Sequence, residues 1–282
     1  MWDINLDQLI TRALQEDIGH GDLTTRFVVP PDLVGKAQIV AKDTGILAGM
    51  PAAERVFSLL DNKLLITTWQ PEGSSLEPGK IIAEISGRVA SILTGERVAL
   101  NFLQHLSGVA TRTHRLVSLM GGSKAVLVDT RKTTPGLRQL EKYATRMGGA
   151  RNHRFGLYDG VMIKDNHIVA AGGSIAQAVA RVRAAVPHTV KVEVEAEDLE
   201  MVTEALAAGA DIILLDNMDI QMMRSAVAMI KGRALVEASG GINESTIAEV
   251  AATGVDMISV GAITHSAPAL DISLDLITGI HR

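Results

Sequence analysis

The feature that most constrains the fold is a repeat in the second half of the chain. A short aliphatic or β-branched run is followed by an Ala-rich segment of helical period, and the pair recurs. The runs are AVLVDT (125–130), VMIKDN (161–166), VKVEVE (190–195), DIILLD (211–216), ALVEAS (234–239) and MISVGA (257–262), and the last four begin 21 to 23 residues apart. That spacing holds one strand and one crossover helix, so it predicts βα units on a parallel sheet. The helices mark their own ends: Ser174 and Asp198 stand at N-cap positions, and Gly209 closes the second. Nearly every run ends in a reactive or Gly-rich element. In a (β/α) barrel those ends form the active-site face, whereas an open doubly wound sheet gathers its ligand residues at one crevice. The expectation is an α/β chain with an incomplete (β/α) barrel of six to seven strands over residues 111–267.

Residues 1–110 lack the repeat. A helix near Ile4 to Gln15 leads into EDIGHGDLTT, followed by strand-like GKAQIVAKD, a helix opened by Pro51 and running to Leu60, strand-like KLLITT, and LEPGKIIAEISG with a Pro-Gly turn. This order describes a smaller, sandwich-like N-terminal α/β domain. Residues 91–120 form a long helical stretch, interrupted at Gly108, that joins the two domains. Alternation in ALDISLDL (269–276) makes the tail, 268–282, a strand returning to the first domain.

At 47% hydrophobic and 21% charged residues, the chain can bury a core and is not disordered. Its apolar runs are far short of a bilayer span, and its amino terminus has no basic-then-apolar leader, so a membrane location is not expected. The absence of cysteine excludes disulfides and thiolate metal sites and is compatible with a cytoplasmic protein. The net charge of −5 hides an asymmetry. Residues 131–167 carry eight Lys/Arg against three acids, a balance of +5, which leaves −10 for the remainder. A cationic island in an acidic chain suits a small, confined anion, because a long polyanion would be repelled by the rest of the surface. With only eight aromatic residues to stack on bases, nucleic acid is not an expected partner.

The island is also the densest motif, DTRKTTPGLRQLEKYATRMGGARNHRFGLYDGVMIKDNH (129–167). Its Thr-Arg-Lys, Asn-His-Arg and Lys-Asp-Asn-His elements, in this order and spacing, resemble those of quinolinate phosphoribosyltransferases. The similarity extends to EDIGHGDLTT, LTGERVALNFLQHLSGVAT, KVEVEAEDLE, ILLDNM and EASGGI, and so covers almost the whole chain. One departure is Ala150, where the family often has a third glycine.

The resemblance implies phosphoribosyl transfer from phosphoribosyl pyrophosphate to quinolinate, yielding nicotinate mononucleotide, CO2 and pyrophosphate. It implies that Arg131, Arg154 and Lys164 contact the quinolinate carboxylates and that Arg97 reaches the same pocket from a neighbouring subunit, in a homodimer or higher oligomer. Thr130, Lys132 and His153 belong to the same substrate site, with Lys132, Lys164, Glu195 and Asp216 as the catalytic set. The physical demand agrees, since two adjacent carboxylates and several phosphates can meet only in a cationic, partly desolvated cavity. Any one of these residues could instead form a surface salt bridge.

Glu195 and Asp216 end strand-like runs, and the resemblance makes them the acidic pair near the ribose and its Mg2+. They would hold ribose hydroxyls or the ion and stabilise the charge developing at C1. Glu193 shares a strand face with Glu195 and competes for this role; an edge carboxylate paired with Lys191 or Lys164 is the plainer alternative. Ser239, Gly240, Gly241 and Gly261 lie in SGGI and VGA, where backbone amides after late strands could cradle the 5′-phosphate. His265 could contact pyrophosphate or lie on the surface. Two rivals stand beside this reading. One is a related phosphoribosyltransferase for another pyridine or aromatic acid, although the paralogues associated with molybdenum transport lack the full Lys-Asp-Asn-His element found at 164–167. The other is a non-catalytic anion-binding barrel, which would not need Glu195 and Asp216.

Overall fold

The computed structural model describes residues 5–277; Ile4 and the end of the tail, to which two of the sequence expectations extend, lie outside them. The chain divides into two compact units, one taking it up to Arg112 and again from Ala267, the other Thr113–Ser266.

The first unit is built on a four-stranded antiparallel sheet in the order Ile272–Ile277, Val34–Ala41, Ile81–Arg88, Leu65–Thr68. Alternation decides which face is buried: in Val34–Ala41 the residues Ala37, Ile39 and Ala41 are sealed and their neighbours are not. The tail closes the sheet edge, with Ala37 opposite Leu276 and Ala41 opposite Ile272. Helices Asn5–Ile18 and Met50–Leu60 pack on one another, the second carrying Pro51 in its first turn.

The long helix Val89–Leu119 is continuous, so Gly108 does not interrupt it. Glycine is there for clearance: a Cβ would lie 1.9 Å from the carbonyl oxygen of Pro268 and 3.1 Å from the Cα of Ala269. A close backbone approach outweighs the helix penalty of glycine.

The second unit has six parallel strands: β1 Val126–Val128, β2 Val161–Ile163, β3 Val192–Ala196, β4 Ile212–Asp216, β5 Leu235–Ser239 and β6 Met257–Ser259. Their order is β1-β6-β5-β4-β3-β2, and Arg151 adds one parallel bridge to Val128 beside β1. This is the incomplete barrel expected from the repeat. Side chains sort by parity. Val192, Val194 and Ala196 of β3, Ile213 and Leu215 of β4, and Val236 and Ala238 of β5 join the apolar core that packs against the helices. The intervening Glu193, Glu195, Leu214, Asp216, Glu237 and Ser239 therefore occupy the inner face. Helix caps fall where the sequence places them: Ser174 Oγ accepts the N–H of Gln177 (3.3 Å) and Asp198 Oδ1 that of Met201 (2.8 Å).

Strand β2 stops earlier than VMIKDN suggests. Lys164 is instead the N-cap of a short helix, Asp165–Ala170, and its N–H donates to His167 Nδ1 (2.9 Å). Helix capping takes the last three residues of that run out of the ladder.

Gly108→Ala should lower the unfolding free energy by about 1–3 kcal/mol, the cost of forcing a methyl group into a packed contact. Chemical denaturation of both proteins checks this, and a variant as stable as wild type would remove the clearance argument.

Candidate active site at the carboxyl ends of the barrel strands

The site starts from Asp129, the residue after β1, which is fully buried. A buried carboxylate must be neutralised and hydrogen-bonded. Lys142, equally buried on helix Arg138–Met147, forms a short ion pair with Asp129 Oδ1. Asp129 Oδ2 accepts from Thr145 Oγ1 (3.1 Å) and Asn152 Nδ2 (2.6 Å), and Oδ1 accepts the backbone N–H of His153 (2.8 Å). Lys142 Nζ also donates to the His153 carbonyl (3.0 Å) and stands 5.1 Å from the Phe155 ring centroid. Burial lowers the Lys142 pKa and the Asp129 contact opposes that fall. The network holds the Asn152-His153-Arg154 segment beside the end of β1.

Above it lies a cavity of about 570 Å3. Four basic side chains reach its wall: Arg131 and Lys132 after β1, Arg154, and Lys164 after β2. Glu195 from β3 and Asp216 from β4 face them, and Thr130, His153, Ser239, Gly240 and Gly241 line the same cavity. Lys164 Nζ makes a close ion pair with Glu195 Oε2, the alternative partner weighed from sequence, and both remain on the cavity wall. Arg154 Nη1 donates to the Gly160 carbonyl (2.9 Å). Burial and then neighbouring Arg131 lower the Arg154 pKa while Glu193 opposes, yet a guanidinium stays charged across the physiological range. Gly240 takes φ +100°, and a Cβ there would meet Asn217 Oδ1 at 2.2 Å. Only glycine lets the turn after β5 close over Asn217, whose N–H donates to the Ser239 carbonyl (2.9 Å).

His153 stands deeper in the barrel. Its Nε2 faces Glu193 Oε2 (3.1 Å) and Glu237 Oε2 (3.5 Å), both carboxyls buried, and its Nδ1 accepts the N–H of Arg154 (2.7 Å). Burial works against a charged ring, whereas the neighbouring carboxyls of Glu193 and then Glu237 favour one. Burial also raises Glu193, opposed by His153 and reinforced by Glu237. A doubly protonated ring could not accept the N–H of Arg154 at Nδ1, so the geometry leaves the ring proton on Nε2, facing the two carboxyls. Glu193 and Glu195 are thus separated in role: Glu195 meets the cavity, while Glu193 meets His153.

Three expected residues do not line this cavity. Gly261 packs against the side chains of Thr130 and Lys132 behind it. His265 is exposed with Nδ1 2.6 Å from Ser266 Oγ, and Arg97 is exposed on the part of helix Val89–Leu119 that belongs to the first unit. Five wall residues were not anticipated: Met162, Leu214, Asn217, Glu237 and Ser259. The alternation that brought out Glu193 and Glu195 applies equally to Glu237 and Ser239 in ALVEAS and would have found Glu237. Asn217, at φ 53°, carries no such signal.

A parallel barrel with a cationic pocket at its strand ends, faced by two carboxylates, defines an enzyme-like binder of small polyanions. The family comparison makes it specific. Residues 109–275 match the quinolinate phosphoribosyl transferase C-terminal domain and residues 22–107 the N-terminal domain of the same family, and the chain belongs to that family. It is 46% identical over 273 residues to the probable nicotinate-nucleotide pyrophosphorylase (carboxylating) of Bacillus subtilis (strain 168), covering 97% of this chain and 94% of that one. It is 42% identical to the nicotinate-nucleotide pyrophosphorylase (carboxylating) of Mycobacterium leprae, with 95% of both chains covered. Among solved structures, NadC from Streptococcus pyogenes superposes with a TM-score of 0.94 at 43% identity, covering 98% of this chain and 99% of that one. Among the described residues no helix is long and apolar enough to cross a membrane.

Proposed function

We propose that the chain transfers a phosphoribosyl group from phosphoribosyl pyrophosphate to the nitrogen of quinolinate and releases CO2, forming nicotinate mononucleotide for NAD biosynthesis. The observation that carries this is the convergence of Arg131, Lys132, Arg154 and Lys164 with Glu195 and Asp216 on one cavity, in a chain of this family.

The arginines and Lys164 serve the two carboxylates of quinolinate, the planar guanidinium forks giving bidentate contacts that an ammonium cannot. Lys132 and the backbone around Ser239, Gly240 and Gly241 serve the phosphates. Asp216 and Glu195 hold the ribose hydroxyls and stabilise positive charge at C1 as pyrophosphate leaves. Their carboxylate oxygens are the donors a hard divalent cation takes, and Asp216 is tethered only lightly, by Asn217 Nδ2 (2.9 Å). Mg2+ held there would neutralise the departing pyrophosphate. The Lys164 contact leaves Glu195 the more committed of the two acids, so Asp216 is the better ligand. Once the ring nitrogen is quaternised, the C2–carboxylate bond breaks toward it, CO2 departs, and C2 takes up a proton while the C3 carboxylate stays anchored. Positioning supplies most of the acceleration.

A pocket built for two carboxylates should reject a ligand with one, because an unpaired buried cation remains. Pyrophosphate release measured over a panel of pyridine carboxylates should therefore show a specificity constant for nicotinate at least about a hundredfold below that for quinolinate. Comparable constants would favour a phosphoribosyltransferase for another acid. Thermal stabilisation by quinolinate with no pyrophosphate released under any condition would favour an anion-binding barrel.

Arg97 lies outside the barrel unit, and we assign it to the pocket of a second copy, so that the smallest active species is a dimer with two shared sites. Within its own chain its near charge is Glu96. Mixing inactive Arg97→Ala and Lys164→Ala subunits should restore about a quarter of wild-type activity, since a hybrid dimer has one site with both defects and one with neither. No recovery after subunit exchange has been shown by mass spectrometry would defeat the assignment.

A further inference from the structure

Every polar group of His153 is spent on the protein itself. Its N–H donates to Asp129, its carbonyl accepts from Lys142, its Nδ1 accepts the N–H of Arg154, and its Nε2 faces Glu193 and Glu237. The Nδ1 contact, at 2.7 Å, fixes the tautomer. A ring nitrogen that accepts an N–H must present its lone pair, so the proton sits on Nε2. The same point decides against a metal. The ligand atoms of His153, Glu193 and Glu237 lie within 4.8 Å of one another, but a metal on Nε2 would require a ring stripped of both protons.

The two carboxyls look expensive without a purpose. Glu193 and Glu237 are 3% and 1% exposed, and Glu193 Oε1 and both oxygens of Glu237 have no hydrogen-bond partner among the described residues. Uncompensated burial of this kind costs stability and persists where it is used. Among the described residues the polar hydrogen aimed at the pair is that of His153 Nε2, and the next residue along the chain is Arg154, a cation of the cavity wall.

We propose that Glu193 is a positioning residue acting through His153: as the acceptor for Nε2–H, with Glu237 beside it, it fixes the tautomer and tilt of a ring whose Nδ1 holds the backbone of Arg154, and so aims the Arg154 guanidinium at the substrate. His153 is then a strut between the buried carboxyls and the pocket. The inference deepens the proposed function, on which only its kinetic arm rests.

Two measurements test it. In protein labelled with 15N-histidine, the ring signals of His153, identified by their loss in His153→Asn, should show a proton on Nε2 and none on Nδ1, unchanged at saturating quinolinate. A ring protonated at both nitrogens, a proton that moves when quinolinate binds, or loss of the Nε2 proton to one equivalent of Zn2+ would overturn the proposal. In kinetics, Glu193→Met removes the nearer acceptor while Glu193→Gln keeps one. The first should raise the quinolinate KM about tenfold with the KM for phosphoribosyl pyrophosphate within about twofold, and the second should return to within about threefold of wild type. Equal damage from Met and Gln, or equal damage to both KM values, would contradict it. If Glu193→Met does not fold, the ring signals of His153 compared between wild type and Glu193→Gln decide. A chain that transfers no phosphoribosyl group would sink the proposed function while leaving the tautomer result to decide this inference.

Discussion

The buried pair of Asp129 and Lys142 is the constraint on which the pocket depends. Desolvating a carboxylate and an ammonium costs several kcal/mol each, an expense repaid only where geometry and further hydrogen bonds are good. Here they are: Asp129 is met by Lys142, Thr145, Asn152 and the N–H of His153, and Lys142 by Asp129 and the carbonyl of His153. The partners come from the end of β1, from helix Arg138–Met147 and from the segment after Arg151, which a single parallel bridge between Val128 and Arg151 joins to β1. The ion pair does the work that a seventh full strand would do elsewhere in a barrel, and it delivers His153 and Arg154 to their places.

From that node the rest follows by strand parity. Leu214 apart, the inner-face positions Glu193, Glu195, Asp216, Glu237 and Ser239 of β3, β4 and β5 carry acids and serine where an ordinary parallel strand would be apolar on both sides. Outer-face positions carry Val, Ile, Leu and Ala against the helices. Stability and chemistry are thus assigned to opposite faces of the same five-residue strands. The cavity wall sets Arg131, Lys132, Arg154 and Lys164 against Glu195, Asp216 and Glu237, so a ligand with several negative charges meets an excess of positive charge beside carboxylates.

Much of this was legible in the sequence because it rests on period. The 21 to 23 residue spacing, the caps at Ser174 and Asp198 and the alternation in VKVEVE are local signals, and the barrel and its strand-end residues follow from them. What stayed hidden is tertiary. The eight cations counted in 131–167 read as one island, yet Lys142 turns inward to Asp129, Arg138 serves Thr133 Oγ1 and the Phe155 carbonyl, Arg146 lies over the Tyr143 ring and Arg151 bridges to Val128, leaving four for the cavity. Nothing local distinguishes a lysine bound for the core from one bound for a ligand. Gly108 shows the same limit: a helical glycine reads as an interruption until the chain segment from Pro268 is seen against it.

The most direct test of this account is Lys142→Met, which keeps the apolar stem and removes the charge from Asp129. The unfolding free energy should fall by about 3–5 kcal/mol, the cost of leaving a buried carboxylate without its cation. In the protein that remains folded at low temperature, quinolinate should bind at least about tenfold more weakly by calorimetry, because Arg154 has lost its support. A variant within about 1 kcal/mol of wild type that binds quinolinate with unchanged affinity would show that the pocket does not hang on this pair.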